Sequence, residues 1–375
     1  MKVTPRISWK FTSTVGIFII PAIIAFSIRT SYAQGQAAPS MPEASKPAEA
    51  VFKNIQVLKG VPSDQLGPGM QFISASLGVQ CQFCHVDGHF DQDDKKPKQA
   101  AREMMKMMFA INKDNFNGHR EVTCNTCHRG SVHPTSIPEI TEAAMPAHME
   151  EMPPANGPTA DQILAKYVTA VGGADAVNKV TSRVQTGTST FGGYSVPIEI
   201  YSKAPDKRIS ITKMANTESM TAYDGKDGWM FSTGRPLREM NTADTEAAKM
   251  DADLHLATDI QKEFSDWRVL PEEKVGDHQA LVIRGRMPEK PPVKLYFDEQ
   301  SGLLVRLVRY AETPLGNNPT QIDYSDYRDV DGVKVPFSWT IARPGNRFTI
   351  QIEKTQQNVP VDDAKFAKPS APAQP

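Results

Sequence analysis

Cysteine occurs four times in 375 residues, and all four lie in two pentapeptides of one pattern, Cys81-Gln82-Phe83-Cys84-His85 and Cys124-Asn125-Thr126-Cys127-His128. In each, two thiols stand three positions apart and an imidazole follows the second directly. Thiols at that offset can bond the two vinyl groups of a porphyrin while the adjacent imidazole ligates its iron, the signature of covalent c-type haem attachment. A zinc ribbon also uses paired Cys-X-X-Cys, but the identical histidine offsets and an export signal favour haem. Two covalently bound haem c groups are therefore expected, one on Cys81 and Cys84 and one on Cys124 and Cys127. His85 and His128 are the near-side iron ligands. With every cysteine committed, no disulfide is expected.

The export signal is at the start of the chain. Residues 1–33 carry Lys2, Arg6, Lys10 and Arg29 and no acidic residue. An apolar run from Val15 to Ile28, broken by Pro21, leads to the small-residue flank Ser31-Tyr32-Ala33. That is the layout of a secretory signal peptide. The run falls short of the roughly 20 apolar residues a bilayer span needs, so a periplasmic or exported protein is expected. A retained N-terminal segment or a partner complex would be the route to membrane association. Past these four cations, acidic residues outnumber basic ones, which gives no electrostatic case for nucleic acid.

The rest of the chain is too long for one typical core. Residues 34–50 are small, polar and proline-bearing and read as a flexible lead. Residues 51–135 form a mainly helical region rich in methionine, cysteine and histidine. Pro68 to Leu77 reads as a short helix ended by Gly78, and Lys98 to Asn112 as a longer one of good helix formers. Each precedes one haem motif, as a weak internal duplication would. Six prolines between 131 and 158 argue for an extended spacer, bounded at 136–158. From 159 to 368 the texture is that of an antiparallel meander. Thr159-Ala160-Asp161-Gln162 is a capping-box pattern opening a helix. Short alternating runs follow, from Arg183–Phe191 to Phe348–Glu353, with turn signals at Asp224-Gly225 and Asp331-Gly332. One helical stretch, 242–263, interrupts them. Residues 369–375 read as a disordered tail. The expected fold class is multidomain α plus β: a small helical dihaem domain, then a β-meander or half-barrel with one or two helices.

A far-side ligand must come from a neighbouring element. For the first haem, Met70 lies on the helix ending at Gly78, and no other methionine lies between Val51 and Cys81. For the second, Met104, Met105, Met107 and Met108 crowd one helix. Ala101, Met104, Met108 and Ile111 make a stripe at helical spacing, so some of these pack. His119 and His133 are also near. Spacing does not choose among them.

Two stretches resemble haem segments of the photosynthetic reaction-centre cytochrome c subunit. One runs from Met70-Gln71-Phe72-Ile73 through Gly78-Val79-Gln80 to Cys81-Gln82-Phe83-Cys84-His85. The other runs from Arg102-Glu103-Met104-Met105 through Ala110-Ile111-Asn112 to Cys124-Asn125-Thr126-Cys127-His128-Arg129-Gly130. In that family a helix supplies the far ligand, a turn follows, and a second helix carries the motif. Three of its four haems are Met/His ligated and one is His/His. The resemblance implies Met70 and Met104 as far ligands, with Met107, Met108 or His119 as fallbacks for the second haem. His119 resembles a histidine that serves a haem of the other half in that family, and that half has no counterpart here. The chain also departs from the family in lacking a lipid-bearing cysteine and in carrying the β-rich region. Met/His ligation implies outer-sphere electron transfer rather than enzymatic chemistry.

No catalytic group stands out in 159–368. His255 and His278 stand alone, and Asp251 and Asp253 read as solvated. Trp229, Tyr296, Phe297 and Trp339 read as core or cavity lining, with Tyr296 and Phe297 on opposite faces of one strand. The opening helix and meander, with Leu303-Leu304-Val305-Arg306-Leu307 and Val333-Lys334-Val335-Pro336-Phe337, are similar to periplasmic lipoprotein carriers. That similarity implies an apolar ligand, a lipid or quinone. The leading expectation is an electron carrier that serves other redox proteins or a membrane electron-transfer complex. The alternatives are a subunit that re-reduces a photosynthetic reaction centre, a dihaem peroxidase-like enzyme, and a lipid or quinone carrier with an accessory haem domain.

Overall fold

The computed structural model describes residues 46–134, 157–288 and 290–369. The signal segment, most of the flexible lead, nearly all of the spacer and the end of the tail lie outside the described residues.

The helical region holds α1 (Ala48–Val51), α2 (Ser63–Leu77), α3 (Lys96–Asn115) and α4 (Cys124–His128). A 3-10 turn, Cys81–Phe83, carries the first motif. α2 begins five residues before the expected start and keeps Pro68 inside it. Its end falls as expected: Gly78 takes the left-handed conformation, with φ of 66°. Glycine is required there twice over. A Cβ at Gly78 would also lie 2.2 Å from the carbonyl oxygen of Gly130, just past the second motif. Gly130 N donates back to Ser76 O at 2.8 Å, so the end of α2 and the second motif are stapled together.

The buried stripe of α3 differs from the expected one. Lys98, Arg102, Met105, Met108 and Asn112 face inward, while Met104 is exposed and Ala101 and Ile111 are half-buried. Three polar residues can occupy the inner face because each is fully engaged. Lys98 and Arg102 both pair with Asp93 at 2.9 Å. Asn112 donates to Val122 O at 2.7 Å and accepts from Glu121 N and Val122 N at 3.1 and 2.9 Å.

The second region is one antiparallel sheet of thirteen strands, not closed. In chain order these are β1 (Ser182–Phe191), β2 (Tyr194–Lys203), β3 (Lys207–Met214), β4 (Thr217–Tyr223), β5 (Gly228–Ser232), β6 (Arg238–Glu239), β7 (Asp266–Val275), β8 (His278–Arg286), β9 (Val293–Asp298), β10 (Leu304–Thr313), β11 (Gly316–Val330), β12 (Val333–Arg343) and β13 (Asn346–Gln357). The sheet order runs β6 to β1, then β13 down to β7. Two meanders are thus joined by the β1–β13 pair. The helices are α5 (Ala160–Ala170), α6 (Ala174–Asn178), α7 (Thr242–Ala252) and α8 (Leu256–Glu263). α5 starts at the capping box expected: Thr159 Oγ1 accepts from Gln162 N at 3.2 Å, and Thr159 N donates to Gln162 Oε1 at 2.9 Å. The stretch 242–263 is two helices, parted where Asp253 turns extended and accepts from His255 N at 2.8 Å.

One face of the sheet packs on α5 and α8. Ile163, Leu164 and Tyr167 of α5 and Ile260 of α8 share a core with Ile200, Ile283, Leu295, Phe297, Leu307 and Ile352. Tyr296 is buried in a different cluster, with Val282 and Val305, as alternation along β9 requires. Trp229 packs with Ile209 and Phe366, and its Nε1 donates to Phe366 O at 3.2 Å. Asp251 lies exposed at the end of α7, as expected, and also takes a bidentate pair from the buried Arg309 at 2.7 and 2.8 Å.

The described residues of the two regions meet around the β10–β11 hairpin. The β10–β11 turn inserts Leu315 into the helical core beside Leu58, Phe72, Ile73, Met105 and Met108.

Candidate functional site

The first motif sits on the wall of a cavity of about 520 Å³, within the range of pockets that hold small-molecule cofactors. Cys81, Cys84 and His85 line it from the motif side, Met70 and Ile73 from α2, and Arg102 and Met105 from α3. The expected far ligand and near ligand of one haem therefore face a common space. Met105, which sequence spacing did not offer to this haem, faces it as well.

The imidazole is oriented by a backbone group. His85 Nδ1 lies 3.0 Å from Phe90 O. A proton on Nδ1 donated to that carbonyl leaves the Nε2 lone pair free for a metal. Burial holds the His85 pKa below its ordinary value, which favours the neutral ring that ligation needs. Phe90 O is shared: it also accepts from Lys98 Nζ at 3.0 Å. Lys98 reaches Gln92 O at 2.6 Å, and Lys95 Nζ donates to Gln82 O within the motif. Asp93 anchors the group, and its hydrogen bonds from Arg102, Lys98 and Asn54 hold its carboxyl well below the usual carboxylate range. Two cations against one carboxylate leave net positive charge on the wall. That suits the acidic propionates of a haem, and neither Lys98 nor Arg102 was singled out from sequence. Their i, i+4 spacing on the stripe of Met105 was the available signal.

The second motif repeats the device. His128 Nδ1 lies 3.0 Å from Ser131 O, so its Nε2 is free in the same way. α4 is opened by Thr123, whose N donates to Thr126 Oγ1 at 3.0 Å, and is closed by Arg129 in the left-handed conformation, with φ of 48°. The four methionines of α3 divide by face. Met105 and Met108 are 6% and 4% exposed, whereas Met104 and Met107 are 45% and 48% exposed. Met108 is thus held in the helical core, and Met104 and Met107 project outward. His119 and His133 are exposed.

The donor set fits a covalently tethered haem: four thiols in two motifs, two imidazoles with carbonyl-fixed tautomers, and thioether sulfur on adjoining helices. Burial pushes the thiols of Cys84 and Cys124 up, so before attachment both are protonated at neutral pH.

Elsewhere, Asp253, His255 and Asp259 bring potential metal-ligating atoms within 4.8 Å of one another. His255 Nε2 is engaged by Val180 O at 2.8 Å, and Asp259 by Lys262 at 2.7 Å. His278 pairs with Asp298 at 3.0 Å. Among the described residues no helix is long and apolar enough to cross a membrane.

Residues 21–168 match the family model of the photosynthetic reaction centre cytochrome C subunit. Cytochrome c-554 of Chloroflexus aurantiacus is 39% identical over 85 residues, covering 21% of this chain and 20% of that protein. The photosynthetic reaction center cytochrome c subunit of Thermochromatium tepidum is 34% identical over 92 residues, 23% of this chain and 22% of the relative. That of Roseobacter denitrificans is 33% identical over 124 residues, 28% and 33%. The chain spans a fifth to a third of the length of these curated relatives. Among solved structures, a DUF1329 family protein from Desulfovibrio piger aligns with 55% of this chain and 97% of its own, at 16% identity and TM-score 0.40. A LolA superfamily protein from Nitrosomonas europaea aligns with 56% and 99%, at 14% identity and TM-score 0.38. The helical segment is similar to c-type cytochromes, and haem c is the cofactor that this similarity and the paired motifs share.

Proposed function

We propose that this chain is an exported dihaem c-type cytochrome that passes single electrons between redox partners. In this reading residues 1–33 are a signal peptide, 51–135 the dihaem domain, 136–158 a spacer and 159–368 a β domain. Cys81, Cys84 and His85 hold the first haem, with Met70 as far ligand. Cys124, Cys127 and His128 hold the second, with Met104 as far ligand.

The observation that carries the proposal is the cavity on which both thiols of the first motif, His85 and Met70 converge, together with the same Nδ1-to-carbonyl distance at His85 and His128. A haem held at either motif would supply a one-electron iron couple, and methionine ligation would raise its potential. The protein's part is to hold and tune. The cysteines fix each group in place. Phe90 O and Ser131 O aim the imidazoles. Lys98 and Arg102 offset negative charge beside the first site. Met70 and Met104 would each supply a second protein ligand, and an iron so ligated would favour outer-sphere transfer over enzymatic turnover. The names of the relatives support a partner in a photosynthetic electron-transfer chain, and the signal-peptide layout of residues 1–33 supports a periplasmic setting. A redox titration followed by visible spectroscopy tests the proposal. It predicts two low-spin haems per chain. A high-spin haem in the resting protein would replace this reading with a peroxidase-like enzyme.

A further inference from the structure

We infer that the β10–β11 hairpin clamps α2 and thereby positions Met70 at the first haem, with Leu315 as the positioning residue. The inference rests on the ligand reading of Met70 proposed above.

The hairpin tip is built to hold one shape. Thr313 Oγ1 donates to Gly316 O at 2.6 Å and accepts from Leu315 N and Gly316 N at 3.2 and 3.1 Å. Hairpin tips ordinarily lie at the surface, yet Leu315 is 0% exposed. It has left the sheet for the core of the helical region.

Besides its packing with Leu58, Met105 and Met108, the hairpin grips one short piece of α2. A Cβ at Gly69 would lie 3.5 Å from Leu315 Cδ1. A Cβ at Gly316 would lie 2.3 Å from Phe72 Cζ, so only glycine admits that ring. Asn318 Nδ2 donates to Pro68 O at 2.8 Å. Its Oδ1 is buried with no hydrogen-bond partner, an arrangement that costs free energy and leaves the Pro68 contact as the role of that side chain. Residues 68, 69 and 72 bracket Met70. Leu66, Gly67, Met70, Ile73 and Ser74 line the haem cavity. The helix is therefore held by the hairpin at 68, 69 and 72 and faces the cavity with the residues between and around them. Ligand geometry is set to within about half an ångström by such supporting contacts, so loosening the clamp moves the Met70 sulfur.

The hairpin also reaches the other haem segment: Leu315 shares the helical core with Met105 and Met108 of α3, and Arg120 donates to Thr313 O at 2.5 Å and pairs with Glu312 at 3.2 Å. The hydrogen bond from Asn318 and the close approach that needs glycine at 316 both fall on α2, so the clamp is expected to act through α2 on the first haem.

The test uses the full-length holoprotein and the variants Leu315→Ala, Leu315→Met, Asn318→Ser and Met70→Ala. Redox titrations and α2 amide hydrogen exchange are compared with the parent. Met70→Ala identifies which haem transition belongs to the first site. Leu315→Ala is expected to lower that same midpoint, leave the other in place, and speed α2 exchange roughly tenfold. Leu315→Met is expected to restore both readouts. Asn318→Ser, which opens no cavity in the helical core, is expected to move them in the same direction by less, and it serves if Leu315→Ala does not fold. A folded Leu315→Ala or Asn318→Ser protein with unchanged α2 exchange overturns the clamp, as does an equal shift of both haems. If Met70→Ala moves neither midpoint, the ligand reading fails, and α2 exchange alone still decides the clamp.

Discussion

In the sheet region Phe297, Leu295, Ile283 and Leu307 are buried together while charged side chains lie mostly outside. In the helical region Lys98, Arg102 and Asn112 are buried, and Phe83, Phe90, Met104, Met107 and Phe116 are exposed. The first pattern is that of a chain that supplies its own core. The second is that of a scaffold whose short helices place ligands, cations and apolar side chains around a non-protein group. A helical segment of some 85 residues has little apolar interior of its own. It borrows Leu315 from the sheet and, on this account, two porphyrins from outside the chain.

The largest test of that contrast is removal of the tethers. The pair Cys81→Ala and Cys84→Ala, or Cys124→Ala and Cys127→Ala, is expected to abolish covalent attachment of one haem and halve Soret absorbance per chain. The β-sheet circular dichroism signal is expected to survive. If the sheet unfolds as well, the two regions are not separable in the way described.

Next in size is the reverse experiment. Phe297→Ala opens a cavity in the sheet core and is expected to cost about 3–5 kcal/mol of stability, with both haem midpoints unmoved. Urea denaturation and a redox titration on one sample read both quantities.

Within the haem region, Met104→Leu is expected to lower the potential of the second haem only, and Met107→Leu to lower neither. The opposite pair of results would transfer the ligand role to Met107, the other outward-facing methionine of α3.

Smaller effects come from titration. Asp93 is held below its ordinary value, so its contribution is present above the unfolded carboxylate pKa of about 3.9 and is lost as pH falls below it. Because Asp93 fixes Lys98, and Lys98 shares the Phe90 carbonyl with His85, acid is expected to disturb the first haem before the second. Spectra recorded from pH 7 downward would show it, and Asp93→Asn should abolish the difference. Asp253 has the opposite sign: burial pushes its carboxyl up to about 6. Its ionised form therefore destabilises the fold above that pH, and below pH 4 it has no effect. Asp253→Asn is expected to stabilise by about 1 kcal/mol at pH 7, discounted for partial exposure, and to be neutral at pH 3.5. Thermal melts at the two pH values check the sign.

What was readable in the sequence follows the same divide. The haem motifs, Gly78 as a helix stop and the capping box at Thr159 were legible because each is a local rule of a few residues. Strands with strong alternation, such as Arg183–Phe191 and Val293–Phe297, were legible to within a residue of β1 and β9. Those of the β4–β6 edge were not, because Thr217–Tyr223 is largely polar and β6 is only two residues long. The inward face of α3 was misplaced because Lys98, Arg102 and Asn112 look like solvent residues until Asp93 and the Val122 backbone are brought to them. The Leu315 insertion is a contact between residues some 250 positions apart. An isolated leucine in a Thr-Pro-Leu-Gly turn was its only local trace.

Denaturing mass spectrometry of the intact holoprotein, paired with metal analysis, reads directly whether both motifs carry haem. A polypeptide heavier by two covalently bound haems, with two irons per chain, is expected. A mass equal to the bare polypeptide, or zinc in place of iron, would contradict it.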